Sequence, residues 1–226
     1  TFFTIVFPLI YLILFGSISG NEPSPISPGR GTIETAIPSL TAMIICITGL
    51  IAISITITNY REKGILRRLR TTPVSPLIVL AAQLIVVFVM TTLGMLLLIV
   101  VGMLFYYVRF EGNMLSFLAG FMLSSLSFFG IGFILAGALP SIRAAQIIGN
   151  VLIYPMVFLS GTFFPIEMFP PAIQKVANFV PLTYVVNLLR GLWFGEPWSD
   201  HLLDVAVLVG MLVVGVVVSV KVFRWE

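Results

Sequence analysis

The 226-residue chain has one cysteine, one histidine and few charges. With a single Cys46 inside an apolar run, no disulfide can form within the chain, and the residue reads as a small buried thiol. With His201 alone and no cluster of Cys, His, Asp or Glu at ligand spacing, neither a metal centre nor a nucleophilic catalytic set is in view. Asp, Glu, Lys and Arg make up 9% of the residues, roughly a third of the share in an average soluble domain. No GxxxxGK[ST] phosphate loop occurs, so the chain carries no nucleotide-binding motif of that kind. Regular apolar–polar alternation is missing as well, and the apolar runs exceed the length of a barrel strand, which argues against a membrane β-barrel.

What is abundant is hydrophobic sequence: 59% of residues, with a mean hydropathy of +1.13. The apolar runs predict six membrane-spanning helices at about 2–19, 36–58, 77–106, 114–139, 147–164 and 202–220. The expected fold is therefore an all-α integral membrane protein, a single domain over 1–226. The stretch at about 166–194 contains Pro170, Pro171, Lys175, Pro181 and Arg190. It reads as two short helices, a re-entrant extracellular hairpin between spans five and six, because the charge-free pieces are too short to cross. Six spans put both termini on one side. Arg61, Lys63, Arg67, Arg68, Arg70, Arg143, Lys221 and Arg224 fall on that side, and Arg30, Arg109, Lys175 and Arg190 on the other. Eight cations against four place the termini in the cytoplasm. Thr1 already lies in an apolar run with no Met or basic region ahead, which suggests a segment before it.

Thr35–Tyr60 and Thr71–Val108 contain no charged residue, and the five cations between them mark a short loop, YREKGILRRLRTTPVSP. Projected at about 100° per residue, Ile65, Leu66 and Leu69 share an arc and the cations take the remainder. A short amphipathic helix over about 61–70 is expected, ended before Pro73. It suits either an anionic membrane surface or a groove on a soluble partner. Glu62, in the middle of the apolar arc, favours the partner and is expected to meet a cation there or on a segment preceding Thr1; the alternative is that it serves the helix N-terminus through the macrodipole.

Together with YPMVFLSGTFFPIEMFPPAIQKVANFVPLTYVVNLLRGLW before the last span, this loop resembles the ABC type 2 permease family, over almost the whole chain. The resemblance implies the transmembrane permease of a prokaryotic ATP-driven ABC exporter, with the loop as a coupling helix seated in an ATPase. The family pattern Arg-Glu, Gly, Thr-Pro falls on Arg61, Glu62, Gly64, Thr72 and Pro73, with Ile65, Leu66 and Leu69 as the apolar contacts. The amphipathic connecting helix that precedes the first span in the family is absent here. Implied partners are an ABC ATP-binding subunit, a second permease copy (homodimer or paralogue) and membrane lipid. The chain itself is no enzyme and holds no cofactor; ATP and Mg belong to the partner. The implied location is the cytoplasmic membrane.

Polar stripes suggest the path. Gln146, Asn150 and Tyr154 recur at i, i+4 and i+8 with Phe158 beyond, and Thr48 stands in the second span beside Thr41, Ser54 and Thr58. Interhelical hydrogen bonding is the alternative for each. Thr183, Asn187 and Arg190 are candidates for an outer gate, while Tyr184, Trp193 and Trp198 suit an interfacial aromatic belt. Amphipathic drug-like or lipid-like cargo fits these surfaces, with polysaccharide as the alternative. A channel or secondary transporter lacks support, since no span carries an acid at its middle.

Overall fold

A computed structural model describes residues 2–21, 30–65 and 76–222 of the chain. Within them every regular element is helical. They are α1 (Phe2–Ser19), α2 (Thr32–Ile47), a π-helical turn (Thr48–Ile53), α3 (Ser54–Glu62), α4 (Pro76–Tyr106), α5 (Met114–Ala138), α6 (Ile142–Leu159), α7 (Pro171–Ala177), α8 (Pro181–Trp193) and α9 (Leu202–Val222). Short 3-10 turns occupy Ile166–Met168 and Trp198–His201.

Helix α2, the π turn and α3 run on as one rod, Thr32–Glu62, and this rod is the core. Of its most apolar 18-residue stretch 72% is buried, against 17% for the corresponding stretch of Trp198–Ser219. The last helix therefore lies at the rim. Ile33, Ile37, Leu40, Ile44 and Ile45 are fully buried, as is Cys46. The π turn Thr48–Ile53 widens the rod locally between α2 and α3. The Thr48 hydroxyl donates to the Ile44 carbonyl at 2.7 Å and accepts from Thr91 of α4 at 3.1 Å.

Glycine sets the closest helix approaches. A Cβ on Gly132 would overlap the carbonyl oxygen of Gly49, and Ser54 Oγ donates to the Gly132 carbonyl at 3.0 Å. Gly130 faces Gly215 of α9, where a Cβ would lie 3.1 Å from the opposing Cα. Ser127 Oγ reinforces that seam by donating to the Leu208 carbonyl at 2.8 Å. Close backbone contact and interhelical hydrogen bonds replace the hydrophobic driving force that lipid cannot supply.

Five helices among the described residues are long and apolar enough to cross a membrane: Thr32–Glu62, Leu80–Tyr106, Met114–Ala138, Ile142–Leu159 and Trp198–Ser219. Thr4–Ile18 of α1 is apolar but shorter. Three expectations need correction. The helix of the expected fifth span, α6, occupies Ile142–Leu159 rather than 147–164, because Ser141 caps its start by accepting from Ala144 N–H at 3.1 Å, and Gly161, at φ +81°, turns the chain after it. Arg61 and Glu62 end the second-span rod rather than opening a separate helix; Lys63 and Gly64 (φ +64°) break the backbone, and helix resumes at Ile65. Trp193 is fully buried, edge-on to Phe110 (4.9 Å) and Phe117 (5.4 Å), and so belongs to no interfacial belt. The short helices expected at about 166–194 are present as the Ile166–Met168 turn, α7 and α8, with Pro171 and Pro181 each opening its helix.

Candidate functional site

One end of the bundle gathers the end of α3, the end of α5 and the start of α6. The Arg61 guanidinium forks across the exposed carbonyls where α5 stops. One nitrogen donates to Ala136 O and Gly137 O at 3.2 Å each, and the other to Leu139 O. These are the carbonyls that a helix C-terminus leaves without partners, and a cation suits the negative end of the helix dipole. The Glu62 carboxylate turns to the opposite pole: it accepts from Ile142 N–H, at the start of α6, at 2.8 Å. Within the chain, Glu62 thus meets a helix N-terminus. Adjacent residues of opposite charge hold the end of one helix and the beginning of the next. Of the loop residues expected to act with them, Gly64 and Ile65 follow directly; Leu66, Leu69, Thr72 and Pro73 lie outside the described residues.

Helix α6 leads away from this corner with two unlike faces. Ala145, Gly149, Ile153 and Val157, four residues apart, are buried against the rod, with Gly149 close to Ile51. Gln146, Tyr154 and Phe158 are exposed on the other side and Asn150 is half-buried at its flank. The structure brings these four to one open surface. Thr48 does not join them, since its hydroxyl is buried and spent on Ile44 and Thr91.

At the opposite end, a cavity of about 680 Å³ opens between the start of α2, the Ile166–Met168 turn, α8 and the start of α9. Its lining is polar and includes Arg30, Glu167, Asn187, Arg190, Glu196 and His201. Arg190 donates to Ser39 Oγ of α2 at 2.7 Å and to Gly161 O, just beyond α6, at 3.0 Å, while its Nε is buried without an acceptor. It is a tie between three segments and not a headgroup-seeking side chain on the rim. Thr183 stands apart from Asn187 and Arg190; its hydroxyl donates to Ala177 O at 2.8 Å and anchors the turn between α7 and α8.

Reading the sequence missed the group around His201. Arg30 pairs with Glu196 at 3.1 Å and lies over the Phe194 ring at 4.0 Å. The second Glu196 oxygen meets His201 Nε2 at 3.1 Å, and His201 Nδ1 meets Asp204 at 3.0 Å. Partial burial pushes the Glu196 carboxyl up, but hydrogen bonds from Arg30 and His201 outweigh it and hold it below the usual carboxylate range. The i, i+3 spacing of His201 and Asp204 at a helix start was the visible signal.

An all-helical chain with several apolar helices of crossing length defines a polytopic membrane protein. A family profile described as ABC-2 type transporter matches residues 1–194, and the chain belongs to that family. It is 32% identical over 102 residues to Nodulation protein J of Rhizobium leguminosarum bv. viciae, covering 45% of this chain and 39% of the relative. To the probable multidrug ABC transporter permeases YbhS and YbhR of Escherichia coli (strain K12) it is 28% identical over 158 residues and 24% over 164. Those matches cover 70% and 73% of this chain and 42% and 45% of the relatives. The chain thus spans less than half the length of these curated relatives.

Proposed function

We propose that this chain is the transmembrane part of an ATP-driven exporter, working with a separate ABC ATPase that binds ATP and Mg, and paired with a second permease copy. Six helices cross the cytoplasmic membrane, α1 and the five longer ones, with both termini and the Arg61 corner in the cytoplasm. The α7–α8 hairpin dips into the outer leaflet. The single observation that carries this reading is the corner itself. The basic loop leaves the rod at Glu62, where Arg61 and Glu62 are bonded to the end of α5 and the start of α6. A push on that loop by an ATPase is delivered to three helices at once. Arg61, Glu62, Gly64, Ile65, Leu66, Leu69, Thr72 and Pro73 form the coupling surface.

The cargo moves along the open face of α6, over Gln146, Asn150, Tyr154 and Phe158, and leaves past Asn187 and Arg190. An amide beside aromatic rings suits amphipathic drug-like or lipid-like molecules, and the multidrug designation of two relatives supports that class. The test is reconstitution of the full-length permease in lipid with its candidate ATPase, comparing the native protein with Glu62→Arg. Co-purification of the native pair, and altered hydrolysis on charge reversal, is the expected result. If no ATPase binds, or reversal changes neither assembly nor hydrolysis, the loop has no coupling role.

A further inference from the structure

The three side chains Glu196, His201 and Asp204 pose a counting problem. An ionised carboxylate only accepts hydrogen bonds, and a neutral imidazole carries one N–H. Yet both ring nitrogens of His201 sit at hydrogen-bond distance from a carboxylate oxygen, 3.1 Å on the Glu196 side and 3.0 Å on the Asp204 side. With the ring neutral and both carboxylates ionised, one of the two contacts would set lone pair against lone pair. One side of the ring packs on the backbone of Gly191, where a Cβ would overlap the imidazole. His201 and Asp204 are both buried, 9% and 8% exposed, so water does not readily relieve the mismatch.

We propose that Glu196, His201 and Asp204 form a proton-binding site in which His201 is held as the imidazolium, and that this proton fastens the wall of the cavity. The bonds it completes join the turn carrying Glu196 to the first turn of α9 carrying Asp204, with Gly191 of α8 packed against the ring. Through Arg30, which holds the other Glu196 oxygen, they extend to the start of α2. Glu196 and Asp204 contact the ring, and the other charged groups lining the same cavity are Arg30 from the flank of α2, Glu167 from the Ile166–Met168 turn, Arg190 from α8 and Asp200 from the Trp198–His201 turn. When the proton leaves as pH rises, the ring keeps one partner and releases the other, and the wall loses its fastening on that side. The ligand is the proton itself; the site stands independently of the exporter reading, and only a link between its occupancy and cargo release would rest on that reading.

His201 is the single histidine of this sequence, and the His201→Gln difference isolates its signal in the full-length permease. The full-length permease, purified with a histidine-free tag and labelled with 15N-histidine, is placed in lipid nanodiscs. Its ring nitrogens are followed from about pH 5 to about pH 8, with His201→Gln to assign the signal. The expected spectrum is an imidazolium with both nitrogens protonated at the acid end. Glu196→Gln and Asp204→Asn should each lower its proton affinity by about tenfold or more, moving the titration to lower pH. Glu196, at the cavity edge, is the safer substitution and carries the test alone if Asp204→Asn fails to fold. A ring neutral at about pH 5, or a titration identical in native protein and Glu196→Gln, overturns the proposal. Neither readout depends on ATP hydrolysis or transport, so its failure is distinct from failure of the proposed function.

Discussion

Replacing Arg61 by Ala removes the three donors that hold the end of α5 to the end of α3. A hydrogen bond from a charged donor is worth about 1.5–3 kcal/mol, but Arg61 is only partly buried and water replaces some of what is lost. A discounted value of about 1 kcal/mol per contact gives about 2–3 kcal/mol for the corner. That corresponds to an increase of about 30- to 150-fold in the opening equilibrium of the segment joining α5 and α6. Hydrogen–deuterium exchange on the full-length permease in nanodiscs reads it directly, in peptides spanning residues 135–145. Leu139 N–H, bonded to Leu135 O, and Ala145 N–H, bonded to Ser141 O, are the reporters. Arg61→Lys should fall between native and Ala, since one ammonium reproduces the charge but not the fork. Exchange rates unchanged in Arg61→Ala would show that these contacts hold nothing, and the mechanical reading of the corner would fall with them.

Glu62→Ala should speed exchange at Ile142 about fivefold, the loss of a cap worth about 1 kcal/mol, whereas Glu62→Gln, which keeps an acceptor, should stay near native. Gly132→Ala forces a methyl onto the Gly49 backbone and should cost about 1–3 kcal/mol, seen as a lower thermal-aggregation midpoint; Gly210→Ala, which meets nothing, should leave it unchanged. Asn150→Ala with Tyr154→Ala should change substrate-stimulated ATP hydrolysis by about fivefold, one hydrogen bond's worth, without loss of the ATPase on co-purification; full stimulation would remove the open face of α6 from the path. Because the Glu196 carboxyl is held low, its contribution is fully present above the ordinary Glu value of about 4.3 and is lost only as pH falls through the lower folded value. Thermal midpoints of native protein and Glu196→Gln should therefore differ near neutrality and converge in acid; a constant gap at every pH would contradict the Arg30–Glu196 linkage.

The helical class and the spans α4 and α5 were legible because their apolar runs end in charge or in Asn113, whose side chain accepts from Leu115 and Ser116 N–H. The start of α6 was not, because Arg143 and Gln146 are polar residues that sit on a helix end and an open face, where polarity does not break a helix. The same blindness hid the full reach of Thr32–Glu62, whose polar ends are helical too. Periodicity placed Gln146, Asn150, Tyr154 and Phe158 on one face correctly, since a helical stripe is a local property. It could not separate Thr48 from them, because which side of the rod meets Thr91 is decided by packing between helices 43 residues apart. Nor could it find partners for Glu62 or His201. Ile142 N–H is 80 residues away from Glu62, and the His201 ring is aimed by a glycine in another helix.

The restraints on α6 bear on how the two ends of the bundle communicate. Its first residue is bonded to Glu62 and the helix before it to Arg61. Just past its last turn, Gly161 O is bonded to Arg190, which also grips Ser39 of α2. Between those ties its buried face runs from the small Ala145 and Gly149, the latter closely packed on Ile51, to the β-branched Ile153 and Val157. Inside α6, Pro155 lacks the N–H for one backbone hydrogen bond and is the point at which the helix bends most readily between those ties. On the proposed function, a displacement at the Arg61 corner is shared between that point and the junction at Gly161, where Arg190 holds the chain beyond α6 to α2. Burying a guanidinium with an unpaired Nε is costly, and what it secures is that junction.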